Sequence, residues 1–126
     1  MRILDTDHCV AVLRGRLDLQ GRIASDEQLA VTAITVAELT HGARRSVRAP
    51  QNLAAVDTLL SAVVVLPIDD GAARQFGALK AELERSGNVV ADLDLQIASI
   101  ALQHGLSLVT HNRQHFERIS GLQIED

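Results

Sequence analysis

Short apolar runs alternate along this chain with longer stretches in which apolar residues recur every three or four positions, a pattern that predicts strands and helices in turn. Residues 2–5 read as a short buried strand, followed by helices at about 7–14 and 18–25. Leu29-Ala30-Val31 reads as a second strand, after which Thr32 is placed to cap a helix running through Val36, Leu39 and Ala43 toward Arg45. Pro50 starts a further helix through Leu53, Val56, Leu59 and Leu60. The β-branched run Val63-Val64-Val65, continued by Leu66 and stopped by Pro67, predicts a third strand. Asp69 or Asp70 caps the next helix, which carries Ala73, Phe76, Leu79 and Leu83 and ends near Gly87. Asp92 opens a strongly apolar helix from Leu93 to Leu102 that His104-Gly105 closes. Residues 106–109 make a fourth strand and 122–124 a short fifth. Strands that alternate with helices imply an α/β fold whose mainly parallel sheet is covered on both faces.

No repeat, low-complexity tract or linker interrupts the pattern, and 126 residues suit a single domain, 1–126, that buries roughly two-thirds of its unfolded surface. Apolar residues make up 47% of the chain but aromatics only 2%, so the core is expected to be aliphatic and rich in Ala. The lone Cys9 rules out an intramolecular disulfide and fits a reducing, cytoplasmic setting. No basic-then-apolar leader precedes Ile3, and no apolar run approaches the roughly 20 residues of a membrane helix. A net charge of −4 argues against binding nucleic acid through phosphate neutralisation alone. Lys80 is the only Lys, however, and the Arg residues cluster, with Arg44, Arg45 and Arg48 in one group and Arg14, Arg16 and Arg22 in another. Each cluster is either a patch of guanidinium forks suited to phosphate or an ordinary solvated helix end.

The chemistry concentrates in acids placed where apolar residues are expected. The first strand runs directly into Asp5-Thr6-Asp7, and in open α/β sheets the C-terminal strand ends face the ligand crevice. Glu38 lies in Ala33-Ile34-Thr35-Val36-Ala37-Glu38-Leu39, with no Lys or Arg three or four positions away. It either shares a polar stripe with Arg45 or faces inward and needs a cation or donors. Asp94 sits in the first turn of the most apolar helix. Asp92 is the better cap there, which leaves Asp94 to point past the helix end. Asn112 follows the fourth strand and Thr110-His111, again at a strand's C-terminal end. Oxygen donors without paired Cys or His favour Mg²⁺ or Mn²⁺ over Zn²⁺.

With these residues in place the chain resembles PIN-domain ribonucleases, and within them the VapC toxins of type II toxin–antitoxin systems. The resemblance covers nearly the full length and rests on the ordered segments ILDTDHCV, ITVAELTHGARRS, DLDLQIASIALQHGLSLVTHN and HFERISGLQIED. It implies a PIN-like three-layer α/β/α fold with a four- or five-stranded sheet and an acidic pocket at the strand ends, holding Mg²⁺ or Mn²⁺. Family positions fall on Asp5, Glu38 and Asp94 as metal ligands. Asn112 completes the catalytic set through a bound water, with Thr6 and Thr110 as hydrogen-bonding support. Asp7 departs from the Asn or Ser usual at its position and is read as a helix cap in preference to a ligand; Asp92 is read as a cap that also supports the pocket. The implied activity is endonucleolytic hydrolysis of RNA. The implied partners are a VapB-like antitoxin and a second copy of the chain, with DNA contacted only through the antitoxin. A groove lined by Val10, Val12, Leu13 and Leu39 is expected to take the antitoxin's helix.

Two other classes compete. A haloacid-dehalogenase-like phosphatase also ends its first strand in Asp-x-Asp, but here His8-Cys9-Val10 follows and the sole Lys80 lies within a predicted helix. A receiver-like binding module needs an acceptor Asp at a central strand end and a late Lys; Asp57 falls in a helix and no Lys follows position 80. His111 and His115 have the i, i+4 spacing of a helical zinc pair but lack the intervening Glu of HExxH, so they read as surface or turn residues. His8 and His104 read as structural, and Cys9 has no neighbouring base to make it a nucleophile.

Overall fold

The computed structural model describes residues 1–15 and 27–126. Its elements are β1 (Arg2–Leu4), α1 (Thr6–Leu13), β2 (Leu29–Thr32), α2 (Ala33–Arg45), α3 (Ala49–Ser61), β3 (Val64–Leu66), α4 (Asp70–Arg85), α5 (Asp92–His104), β4 (Leu108–Val109), α6 (Arg113–Phe116) and β5 (Ile124–Glu125). The helix expected at 18–25, with Arg16 and Arg22 of the second Arg cluster, lies outside the described residues.

All four strand pairings are parallel, in the order β3-β2-β1-β4-β5. Consecutive residues of a strand point to opposite faces, so a strand covered on both sides must be apolar at every position. β1 illustrates this. Ile3 is aligned with Ala30 of β2 and Leu108 of β4, and all three enter a core shared with Ala72, Leu79 and Leu83 of α4 and Leu95, Ala98 and Ala101 of α5. Leu4, aligned with Val109, enters the opposite core with Val31, Cys9 of α1, Leu39 of α2 and Val56 of α3. Three layers result, with α1–α3 on one face and α4–α6 on the other. The aliphatic core expected from composition is present, and Phe116 is its one fully buried phenyl ring among the described residues.

Strand order advances from β1 to β3 in one direction and then returns past β1 to β4. The chain therefore leaves β1 toward one side and β4 toward the other, opening a crevice above their C-terminal ends. Local signals set the helix starts that frame it. Thr32 accepts a hydrogen bond from Thr35 N at 3.3 Å and caps α2 as predicted, and Asp69 caps α4 through Ala72 N at 2.8 Å. Gly105 closes α5 in the left-handed conformation, φ 64°, where a side chain would be strained.

Two expected caps are corrected. α1 starts at Thr6, so its N-cap is Asp5, whose carboxylate accepts from Thr6 N; Asp7 lies inside the first turn and is free for other contacts. The N-cap of α5 is Ala91, whose methyl group makes no capping hydrogen bond, while Asp92 is turned sideways to Lys80 Nζ at 2.9 Å. Both acids are still in a first helical turn, where the helix dipole favours them without a capping bond. β4 is shorter than expected because it is paired only at Leu108 and Val109, and the single turn of α6 was not anticipated. Among the described residues, no helix is long and apolar enough to cross a membrane.

Candidate active site

The crevice between β1 and β4 gathers the predicted acids. Asp5 follows β1 directly and is 4% exposed. Its Oδ1 accepts from Thr6 N at 2.8 Å and its Oδ2 from Thr110 Oγ1 at 2.8 Å, so one donor comes from each side of the crevice. Burial nevertheless dominates: together with the charges of Asp7 and Asp94 it outweighs those two bonds and pushes the carboxyl up to about 6.

Glu38 faces this site rather than forming a stripe with Arg45. It is half-buried on α2, and its Oε1 accepts from Thr6 Oγ1 at 2.8 Å, while Arg45 is exposed. Because an ionised carboxylate can only accept, the Thr6 hydroxyl donates to Glu38 and receives the proton of buried Thr35, whose Oγ1 is 2.9 Å away. Thr6 thus joins Asp5 and Glu38 through its amide and its hydroxyl. Thr110 has the same bridging position on the other side. Its Oγ1 also lies 3.3 Å from Asp7 Oδ2 and accepts from Asn112 N at 3.0 Å. A hydroxyl has one proton to give, and the shorter contact assigns it to Asp5.

Asp7 is the residue the sequence reading undervalued. Its Oδ2 accepts from His111 N at 2.9 Å and Asn112 Nδ2 at 3.1 Å, tying α1 to the turn after β4, while its Oδ1 is buried with no hydrogen-bond partner. The signal was present in the sequence, since an acid two residues beyond a strand-end acid, inside the first helical turn, projects into the same crevice. Asn112 takes the N-cap position of α6 without capping it and spends its side-chain amide on Asp7. Asp94, at the start of α5, contributes its charge to Asp5 and has its Oδ2 3.2 Å from His115 Nδ1. That histidine contact was missed, because a one-turn helix gives no periodicity to place His115. Asp92, paired with Lys80, contacts none of these residues through a hydrogen bond.

Four carboxylates thus border one crevice, and among the described residues no Lys or Arg forms an ion pair with any of them. Uncompensated buried charge is costly. A hard divalent cation fits the donors present: all are oxygens, one is an orphaned carboxylate oxygen of Asp7, and Asp5 is protonated more readily than usual because it is buried beside the charges of Asp7 and Asp94.

Other sequence-level candidates settle as follows. Cys9 is fully buried and its thiol is pushed up to about 12, so it is no nucleophile. His111 and His115 do not form a pair; the first bonds Asp126 and the second Asp94. Lys80, engaged with Asp92, does not balance Asp5 as a phosphatase would require, and Asp57 is exposed on α3, away from any strand end. Arg44 and Arg45 occupy the last turn of α2, where basic residues complement the dipole. Beside the acids, a groove of about 280 Å³ runs between α1, α2 and α3, lined by Val10, Leu13, Leu39 and Val56 and reaching Thr6 and Glu38 at its inner end. Val12, expected there, does not line it.

A parallel sheet ordered in this way, with an acidic crevice at its switch point, defines an α/β domain with an acidic strand-end site, and comparison with known proteins places it. A model of the PIN domain matches residues 2–122. The chain belongs to the PIN-domain family and, within it, to the VapC ribonucleases. It is 36% identical over 126 residues to the tRNA(fMet)-specific endonuclease VapC of Salmonella typhimurium, spanning 98% of this chain and 96% of that one. It is 35% identical to ribonuclease VapC2 of Haemophilus influenzae over the same shares. Among solved structures, DNA-bound VapBC from Salmonella typhimurium superposes with a TM-score of 0.93 at 36% identity, covering 100% of this chain and 98% of the other. VapBC2 from Rickettsia felis, bound to a promoter DNA fragment, gives 0.91 at 30% identity, covering 98% and 96%. The α/β fold read from the sequence is the one observed.

Proposed function

We propose that this protein is an Mg²⁺- or Mn²⁺-dependent endoribonuclease, the toxin of a VapBC-type toxin–antitoxin pair. The observation that carries the reading is the crevice of four carboxylates with no Lys or Arg partner among the described residues, in a chain similar over nearly its whole length to VapC ribonucleases. Asp5, Glu38 and Asp94 hold the cation. Asp7, whose free oxygen has no other use in the crevice, joins them. When bound, a divalent cation screens the phosphodiester's charge and makes water a stronger acid.

The remaining work falls to the chain's own side chains. Thr110 and the Thr6 amide fix the two oxygens of Asp5, and the Thr6 hydroxyl fixes Glu38, so neither acid rotates away when the cation is absent. Asn112 and the His111 amide hold Asp7 by one oxygen and leave the other, buried and without a hydrogen bond, for the cation. Below about pH 6, where Asp5 keeps its proton, loading the site would displace that proton, so binding is coupled to proton release. His115, beside Asp94 at the mouth of the crevice, is placed to donate to a phosphate oxygen of the substrate.

The groove beside Glu38 is the seat of an antitoxin helix. Its apolar walls suit an amphipathic helix, and its inner end opens on the acids, so a basic side chain carried by that helix would reach Glu38. DNA is contacted through the antitoxin, the toxin acts as a homodimer, and the complex works in the cytoplasm. Because one relative is a tRNA(fMet)-specific endonuclease, tRNA(fMet) is the first substrate to try. Expression of the chain and of Asp5→Asn, followed by mapping of RNA ends, tests the reading. Cuts present only with the unaltered chain support it, and identical cuts from both refute it.

A further inference from the structure

A second cluster of donor atoms lies just outside the carboxylate crevice, and the proposed activity does not use it. His8 on α1, His111 after β4 and Asp126 after β5 each offer a ligand atom, and these atoms all lie within 4.8 Å of one another. His111 Nδ1 is 2.7 Å and His8 Nε2 3.6 Å from the same oxygen, Asp126 Oδ1. The two imidazoles are stacked, with ring centroids 3.9 Å apart and planes inclined by 20°, so shared ligation requires the exposed His111 ring to turn until both nitrogen lone pairs meet at one point. We propose that His8, His111 and Asp126 form a binding site for a borderline transition-metal ion of the Zn²⁺ class, separate from the hard-cation crevice.

Donor chemistry separates the two sites. Two imidazole nitrogens and one carboxylate oxygen select Zn²⁺, Co²⁺ or Ni²⁺ over Mg²⁺, whereas the all-oxygen crevice has the reverse preference. Size also fits. Bonds of about 2.0–2.1 Å at tetrahedral angles put neighbouring donors about 3.3 Å apart; the two distances to Asp126, 2.7 and 3.6 Å, bracket that spacing, and the two histidine donors lie within 4.8 Å of each other. Three protein ligands leave the fourth position open, and His8 is buried while His111 and Asp126 are exposed, so an ion can enter from solvent.

The site fastens three strand ends, since its ligands follow β1, β4 and β5. Because the His111 amide also donates to Asp7, occupancy holds one wall of the acidic crevice in place. The ion is therefore a structural clamp whose presence is felt at Asp7.

The test is Co²⁺ titration of the purified full chain in excess Mg²⁺, read by visible absorption and by thermal denaturation. The unaltered chain is expected to take up Co²⁺ with the intense bands of a four-coordinate site and a raised Tm, and Zn²⁺ is expected to displace it. His111→Ala and Asp126→Asn, both at exposed positions and checked for folding by circular dichroism, are expected to weaken Co²⁺ by about tenfold or more and to lose the bands. Asp94→Asn, in the crevice, and His104→Ala, on the far end of α5, are expected to leave them unchanged. Absence of the bands from the unaltered chain, their survival in either cluster variant, or their loss in Asp94→Asn overturns the proposal. None of these readouts depends on nuclease activity.

Discussion

Thr110 Oγ1 donates to Asp5 Oδ2 at 2.8 Å across the point where the sheet's strand order reverses, joining the C-terminal ends of β4 and β1. Both residues are buried, so this one hydroxyl decides how a nearly solvent-free carboxylate is held. Thr110→Val keeps the shape and removes the donor. The variant is expected to lose about 1–3 kcal/mol of stability and to need more Mg²⁺ for half-maximal cleavage. Thr110→Ser is expected to restore both. Denaturant melts and Mg²⁺ titrations of the two variants check this, and a Val variant with unaltered Mg²⁺ dependence would count against the role given to Thr110.

Asp5 makes stability fall as pH rises. Its carboxyl binds a proton more tightly in the folded chain, at about 6, than at the ordinary 3.8, so between those values the folded state holds more protons than the unfolded. The contribution is complete below about pH 4 and lost as pH passes through 6, amounting to roughly 3 kcal/mol. In EDTA, Asp5→Asn is expected to flatten this part of the stability–pH curve and to be the more stable protein at pH 7.5. Parallel curves for the two proteins would contradict the assignment.

Asp7→Asn tests whether the orphaned oxygen serves a cation. The substitution preserves an acceptor for His111 N and Asn112 while removing a charge, so folding in EDTA is expected to be unchanged or improved. The Mg²⁺ concentration for half-maximal cleavage is expected to rise by about tenfold, the loss of one charged ligand of about 1.4 kcal/mol. Calorimetric Mg²⁺ binding gives the number, and an unaltered affinity would return Asp7 to a purely structural role.

Leu13 lines the groove without being fully buried. Leu13→Ala is expected to weaken antitoxin binding by about 10- to 100-fold, as truncation of an apolar anchor does, with RNA cleavage by the free toxin unaltered. Leu39 also lines the groove but is 5% exposed and belongs to the core, so its truncation would confuse binding with folding. Surface plasmon resonance against the cognate antitoxin measures the difference.

The layers of the fold were readable because burial on both faces forces apolar runs in the inner strands, Ile3-Leu4 in β1 and Leu29-Ala30-Val31 in β2, and because Thr32 and Gly105 mark helix ends by general rules. Asp5, Glu38, Asp94 and Asn112 stood out as polar residues in apolar or strand-end settings, and the structure brings Asp5, Glu38 and Asn112 together through Thr6, Thr110 and Asp7. What was hidden depends on contacts between residues distant in sequence. Whether Asp7 caps its own helix or reaches Asn112, 105 positions on, is decided by where α1 begins, and a shift of two residues moves the cap from Asp5 to Asp7. The pairing of His115 with Asp94 and the stack of His8 on His111 depend on a single turn of helix and on sheet order, neither of which leaves a periodic trace.

The central claim, that the carboxylate crevice uses a divalent cation to cut RNA, is tested most directly by mapping RNA ends after incubation with purified protein, in Mg²⁺ and in EDTA, for the unaltered chain and Asp94→Asn. The account predicts discrete cuts by the unaltered chain in Mg²⁺ only, and none from the folded variant. The same cuts from Asp94→Asn, or cleavage that persists unaltered in EDTA, would contradict it.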